Sequence, residues 1–284
     1  MTTILVTGAT GKVGTRFVPR LVQWAGADSV RVLVRDPARA AGLAALGVEV
    51  LTGDLCEEAD RAKALDGADA VVNVAAALRG VTDEESYAVN RDAAIALGRQ
   101  AIEAGVRRFV QTSTNLVYGG GLGRPALESD PVRPAAQWGS YAASKAQAEE
   151  GLRALGPELP LTVVRLAFVY GEGDSHLADS LHWAGRWAAH KRLPVVHHAD
   201  ASQALWRALN SPGAVGRTYN AADDAPITAH DLHELHGAPQ PAGAADAVDP
   251  DPWDGVASNA LIRAELGWRP LYPSVWTARD AGAL

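Results

Sequence analysis

Two side chains of this 284-residue sequence, Tyr141 and Lys145, stand four residues apart, so on a helix both leave the same face. An ammonium beside a phenol favours the phenolate and pulls a tyrosine below its ordinary value of ~10. Such a pair could give a proton to a carbonyl oxygen or take one from an alcohol. An isolated match would be no more than a solvated helical pair, so the rest of the chain has to decide. The segment Thr7-Gly8-Ala9-Thr10-Gly11-Lys12-Val13-Gly14 follows an apolar strand and opens a helix with apolar positions at Val13, Phe17, Val18 and Leu21. Glycines there permit a tight turn and let backbone N–H groups approach a pyrophosphate, while the helix N-terminus supplies its positive dipole end. That setting makes a nucleotide site a better reading than a plain turn.

Elements able to position these groups follow from the pattern. Short β-branched runs alternate with Ala-, Leu- and Arg-rich stretches, as in βαβ units that build a doubly wound parallel sheet. The expected strands are Ile4–Thr7, Val30–Val34, Val48–Thr52, Ala70–Val74, Arg108–Thr112 and Leu161–Leu166, and their carboxyl ends are where such sheets bind ligands. Composition agrees with a globular α/β protein: 48% hydrophobic, 21% charged, formal charge −7. An acidic balance without a basic patch argues against nucleic acid as a partner. One cysteine, Cys56, excludes an internal disulfide framework and fits a reducing, cytoplasmic setting. No signal-peptide pattern and no apolar run near the ~18 residues of a membrane span is present, so no membrane association is expected.

The Gly-x-x-Gly-x-x-Gly spacing resembles the short-chain dehydrogenase/reductase superfamily, and Thr-Gly-Ala-Thr-Gly-x-Val-Gly is similar to its extended branch, the NAD-dependent epimerase/dehydratase family. Further matches fall in order. Gly53-Asp54-Leu55 resembles the family's adenine-contacting turn, Asn73-Val74-Ala75-Ala76 its cofactor-lining turn and Asn90 the Asn of the following helix. Ser113-Thr114-Asn115-Leu116-Val117-Tyr118-Gly119 resembles its Ser/Thr motif, Tyr141-Ala142-Ala143-Ser144-Lys145 its Tyr-x-x-x-Lys and Arg165-Leu166-Ala167-Phe168-Val169-Tyr170-Gly171 its Arg-x-x-x-x-Tyr-Gly segment. Fainter likeness continues through His197–Ala204, Tyr219-Asn220-Ala221 and Leu266-Gly267-Trp268-Arg269-Pro270.

The resemblance implies a Rossmann-like domain over residues 1–170, rejoined by a strand near 217–221, and a small substrate-binding lobe over 171–284. It implies Thr114, Tyr141 and Lys145 as catalytic residues, with Ser113 as a substrate-holding neighbour and Lys145 also on the nicotinamide ribose. Cofactor contacts are carried over to Gly8, Thr10, Gly11, Lys12, Val13, Gly14, Arg35, Asp54, Leu55, Val74, Ala75, Ala76, Asn90, Thr112, Phe168 and Val169, and a homodimer through a helix bundle is expected. Sugar-dehydrating members resemble Thr-Asp-Glu where this chain has Thr114-Asn115-Leu116, and neither Asn nor Leu transfers that proton. Simple carbonyl/alcohol redox remains, or epimerisation through a transient ketone on tightly bound NAD.

The second strand ends Val34-Arg35-Asp36-Pro37. An acid there would accept hydrogen bonds from the ribose hydroxyls, whereas an Arg accommodates a 2′-phosphate; Arg35, with Arg39 as a second contact, favours NADP(H). In the competing reading Asp36 serves the ribose of NAD(H). Only residues 172–194 separate Tyr170-Gly171 from a strand at Val195, and a lobe so trimmed suits a small or apolar metabolite better than a sugar nucleotide. Leu78, Trp138 and Trp183 are candidate substrate contacts, Trp183 and Trp187 lying four apart on an expected helix.

The histidines are not spaced as a metal set, so no metal is expected. His230, His233 and His236 read as decoration of an exposed helix capped by Thr228, and Glu149-Glu150 and Asp223-Asp224 as solvated surface. Residues 237–252, rich in Pro, Gly and Asp, read as a mobile connector. The leading expectation is an NAD(P)-dependent oxidoreductase acting on a small molecule. Its rival from another class is a dinucleotide sensor like the NmrA-type proteins, which typically lack the tyrosine.

Overall fold

A computed structural model describes residues 2–284. Eleven strands occur among them: β1 Ile4–Thr7, β2 Val30–Val34, β3 Glu49–Thr52, β4 Ala70–Asn73, β5 Arg108–Thr114, β6 Leu161–Leu166, β7 Phe168–Tyr170, β8 Arg192–Leu193, β9 Val195–His197, β10 Thr218–Ala221 and β11 Ile227–Thr228. Seven form one parallel sheet in the order β10-β6-β5-β4-β1-β2-β3. The order reverses between β1 and β4, which opens the crevice where a doubly wound sheet takes its ligand.

Central strands are buried on both faces: every residue of β1, β4 and β6 is buried, so their apolar residues run together rather than alternating. On one face Val18 and Leu21 of helix Gly14–Ala25 and Ala201, Ala204, Leu205 and Ala208 of helix His198–Asn210 pack with Val6, Val32 and Val72. Trp268 closes this layer, fully buried, its indole N–H donating to Asp200 O at 3.0 Å. The opposite face packs Leu65, Leu97, Ala101 and Leu152 from helices Glu58–Leu65, Ala94–Glu103 and Gly139–Arg153 against Leu5, Val71 and Phe109. β10 rejoins the sheet beside β6, Thr218 opposite Val163.

A smaller apolar cluster, including Tyr170, Leu177, Val195, Ile227 and Leu232, holds the region after β7. Trp187 turns into this cluster, because the expected helix is two single turns, His176–Asp179 and Leu181–Ala184, and ends before it. Thr228 caps helix Ala229–Leu235 in a reciprocal box with Asp231. His233 on that helix is buried, not exposed, and its Nδ1 donates to Ala229 O at 2.7 Å. Residues 237–252 lack long helices as expected, yet their end is anchored: Asp251 accepts the Gly121 N–H at 2.5 Å, and Lys191 lies 3.9 Å from Asp249. No helix among the described residues is long and apolar enough to cross a membrane.

Candidate active site

The glycine turn after β1 is built by close packing. Gly8 has φ +71°, and a Cβ there would lie 2.5 Å from Ala75 N; at Gly14 it would lie 2.2 Å from Gly8 O. Those two glycines seat the turn on β4 and the helix on the turn, while Gly11 and Lys12 form its exposed tip. Gly11 N–H closes the turn onto Gly8 O at 3.0 Å. Beyond it, Val13 precedes helix Gly14–Ala25, whose first turn closes through Thr15 N–H to Gly11 O at 2.9 Å and Phe17 N–H to Val13 O at 2.8 Å. The Lys12 ammonium reaches across to Asp174, which is also 3.1 Å from His198 Nε2.

At the end of β2, Arg35 is exposed, and Asp36 turns away to cap the next turn, its Oδ1 accepting the Ala38 N–H at 2.9 Å. Arg39 comes back over the glycine turn and donates to Thr10 O at 3.1 Å. After β3, Asp54 Oδ1 accepts the Cys56 N–H at 2.9 Å, while Leu55 is buried.

Asn90 belongs to a π-helical turn, Ala88–Ala93, set inside the longer helical run. Such a turn re-aims one side chain, and the Asn90 amide clamps Ala77 from both sides, donating to its O and accepting from its N, each at 2.8 Å. Asn90 is thus spent on holding the turn Val74-Ala75-Ala76 and not free for direct cofactor contact. Thr112 is similarly turned inward, its hydroxyl donating to Asn73 O at 2.9 Å.

Helix Gly139–Arg153 brings Tyr141 and Lys145 to this turn. Lys145 Nζ donates to Ala75 O at 3.1 Å and Thr112 O at 3.3 Å, which leaves its third N–H for a ligand. Burial pulls its amine down to about 8, against the opposing charge of Glu149. Tyr141 departs from expectation: burial pushes its phenol up to about 12, and a hydrogen bond with Thr114 offsets only part of that. Ser113 does not join Thr114 in the cleft. Successive strand residues face opposite ways, and Ser113 lies buried against Glu149. Asn115 is buried as well, its amide donating to Gly255 O at 2.5 Å.

Two acids read as surface are interior. Glu149 pairs with Arg165 at 2.6 Å, and Asp223 accepts the Tyr170 hydroxyl at 2.9 Å, its carboxyl raised well above the ordinary range by burial. Glu150 and Asp224 remain exposed.

The surface between the turn after β4 and the region after β7 mixes aromatic and apolar side chains with one Arg–His pair. Phe168 stacks on His176 at 3.8 Å, Arg79 donates to His176 Nε2 at 2.9 Å, and its guanidinium covers Trp183 at 4.5 Å. His176 Nδ1 donates to Val169 O at 3.0 Å, which fixes the tautomer. Leu78, Val81 and Trp183 stand 43%, 40% and 38% exposed around this contact, and Trp138 is half-buried just ahead of the Tyr141 helix. Arg79 and His176 had no signal in the sequence motifs, since their pairing spans two separate parts of the chain.

The sequence pattern of the NAD dependent epimerase/dehydratase family matches residues 4–222. The chain belongs to that family. Among characterised members it is 30% identical, over 94% of its own length and 81% of the relative's, to a 4-hydroxy-2-methyl-3-oxo-4-farnesyl-3,4-dihydroquinoline-1-oxide ketoreductase of Stigmatella aurantiaca. It is 30% identical to a ceramide reductase of Caulobacter vibrioides over 74% of this chain and 61% of that one. In structure it is similar to a short-chain dehydrogenase/reductase superfamily protein of Agrobacterium tumefaciens with bound NAD, with a TM-score of 0.79, 24% identity and coverage of 98% and 95%. The fold is that of the superfamily. A family dinucleotide suits the residues present: the glycine tip and helix N-terminus fit the pyrophosphate, and the spare N–H of Lys145 fits a ribose hydroxyl.

Proposed function

We propose that this family member is an NADPH-dependent ketone reductase for an apolar substrate. The observation that carries the reading is the placement of Tyr141 beside Thr114 on the helix that brings Lys145 to the turn after β4, with its phenol pushed up to about 12 by desolvation. At neutral pH such a group holds its proton and is a donor, as carbonyl reduction requires, whereas alcohol oxidation would begin from the phenolate. When bound, the reduced nicotinamide supplies the hydride. Tyr141 gives the proton to the carbonyl oxygen, Thr114 holds that oxygen, and the Lys145 ammonium supports the phenol as its negative charge develops.

Asn115, turned onto Gly255, offers no acid or base for a dehydration. Asp36 is engaged by Ala38 while Arg35 and Arg39 stay beside the turn, which supports recognition of a 2′-phosphate. The exposed Leu78, Val81 and Trp183, with Arg79 over the Trp183 ring, support a substrate with a large hydrophobic part, in keeping with reductases of farnesylated and ceramide substrates among the relatives. The test is NADPH oxidation across long-chain aliphatic, prenylated and sterol ketones beside nucleotide-sugar ketones. Turnover confined to the apolar set supports the proposal; turnover of nucleotide sugars without net NADPH loss would replace it with epimerisation.

A further inference from the structure

Helix Gly139–Arg153 carries Tyr141, Lys145 and Glu149 at successive four-residue steps, so the three rise along one face. Glu149 is fully buried one turn beyond Lys145, itself 2% exposed. Its carboxylate accepts Nε and Nη2 of Arg165 at 2.9 and 2.6 Å and Nη2 of Arg153 at 2.9 Å. The groups around the Lys145 amine are otherwise neutral or positive. β5 and the turn after β4 present the carbonyls of Thr112 and Ala75, and Ser86 and Asn90 reach the same helix through the Ser144 hydroxyl. Tyr141 is a neutral phenol, Arg165 of β6 and Arg153 are cations, and Glu149 is the carboxylate of the set.

We infer that Glu149 is a positioning residue that keeps Lys145 in its ammonium form, with Arg165 locking the carboxylate one turn away from the amine. The inference rests on the Tyr141–Lys145 reading of the site. A buried ammonium has lost its hydration, and two carbonyl dipoles do not replace a counter-charge. Without Glu149, Lys145 loses the carboxylate one turn along its own helix, and Arg165 keeps only Glu128 as a nearby acid. Arginine does not release a proton in proteins, so the lysine must. A neutral Lys145 still hydrogen-bonds a ribose hydroxyl but no longer supports charge on Tyr141. Loss of Glu149 should therefore lower turnover while leaving dinucleotide affinity nearly unchanged.

The chain has four lysines, Lys12, Lys63, Lys145 and Lys191, so 13Cε-lysine NMR can follow Lys145 directly in the full-length protein. Its titration midpoint, held below the ordinary lysine range by burial, is expected to fall further in Glu149→Gln, and the high-pH limit of ketone reduction to fall with it. Should Glu149→Gln fail to fold, Glu149→Asp decides, with a smaller fall expected as the carboxylate retreats by one methylene. An unchanged midpoint in the folded variant overturns the inference. This measurement uses no turnover, so it is separable from the catalytic reading, which fails instead if Tyr141→Phe keeps full activity.

Discussion

Arg35 and Asp36 are neighbours with opposite charges at the end of β2, and the structure gives them different surroundings. Asp36 is tied to Ala38 N–H, whereas Arg35 is exposed and Arg39 reaches Thr10 O of the glycine turn. A charge-assisted hydrogen bond contributes about 1.5–3 kcal/mol, so Arg35→Ser is expected to weaken NADPH binding roughly tenfold to a hundredfold and leave NADH nearly unaffected. Parallel fluorescence titrations check this, and equal losses for both nucleotides would return the ribose to Asp36. The adjacency of Arg and Asp was legible in the sequence; that Asp36 is tied to Ala38 N–H was not, because a backbone turn decides it. Glu149 was illegible for a related reason. Its position beside Glu150 looks like a solvated pair, and only the strand sixteen residues later brings Arg165 to it. Tyr141 and Lys145 were found from their spacing together with the motifs around them, but neither carries information on burial, and burial reverses the expected direction of the tyrosine shift.

At the level of elements, the strand–turn–helix at the N-terminus is the part whose sequence says most. Runs such as Val30–Val34 and Leu161–Leu166 are β-branched and flanked by turn residues, and they fold with the expected bounds. The glycine spacing has a physical cause beyond ligand approach: the turn must lie against the backbone of Ala75, the residue whose carbonyl holds Lys145. Gly8→Ala would combine a left-handed φ, costing about 1–2 kcal/mol, with a contact of 2.5 Å to Ala75 N. The expected outcome is a lower melting temperature together with loss of nucleotide binding; a variant that melts lower yet binds NADPH normally would separate the turn from the site. What the sequence did not disclose is the π-helical turn at Ala88–Ala93, since its cause is tertiary, the clamp of Asn90 on Ala77.

Across the whole molecule, the region after β7 is joined to the sheet by buried polar groups whose charge states depend on pH. His198, 3.1 Å from Asp174, is pulled by burial to about 4 from an ordinary value of 6.5, the Asp174 hydrogen bond opposing only part of this. The unfolded chain therefore takes this proton near pH 6.5 and the folded protein resists it until about 4. Across that window the unfolded state binds more protons, so the contribution of His198 to stability is lost as pH falls. Asp223, raised by burial, acts in the opposite direction, so the native protein and His198→Gln should be compared directly. The stability gap between them is expected to narrow as pH falls from 6.5 toward 4; paired thermal melts measure it, and a constant or widening gap would contradict the assignment. These contacts join Lys12 of the glycine turn, Asp174 and helix His198–Asn210, three parts of the chain that no local pattern connects.

The central claim is that Tyr141 gives the proton in an NADPH-dependent reduction of an apolar ketone. Its most direct test is the rate of NADPH consumption with such a ketone, measured for the native protein and Tyr141→Phe beside the NADPH affinity of each. A fall of about a hundredfold to ten-thousandfold in rate with affinity unchanged is expected. Equal rates in the two proteins, or a native protein that carries tightly held NAD⁺ and consumes no NADPH with any ketone, would contradict it.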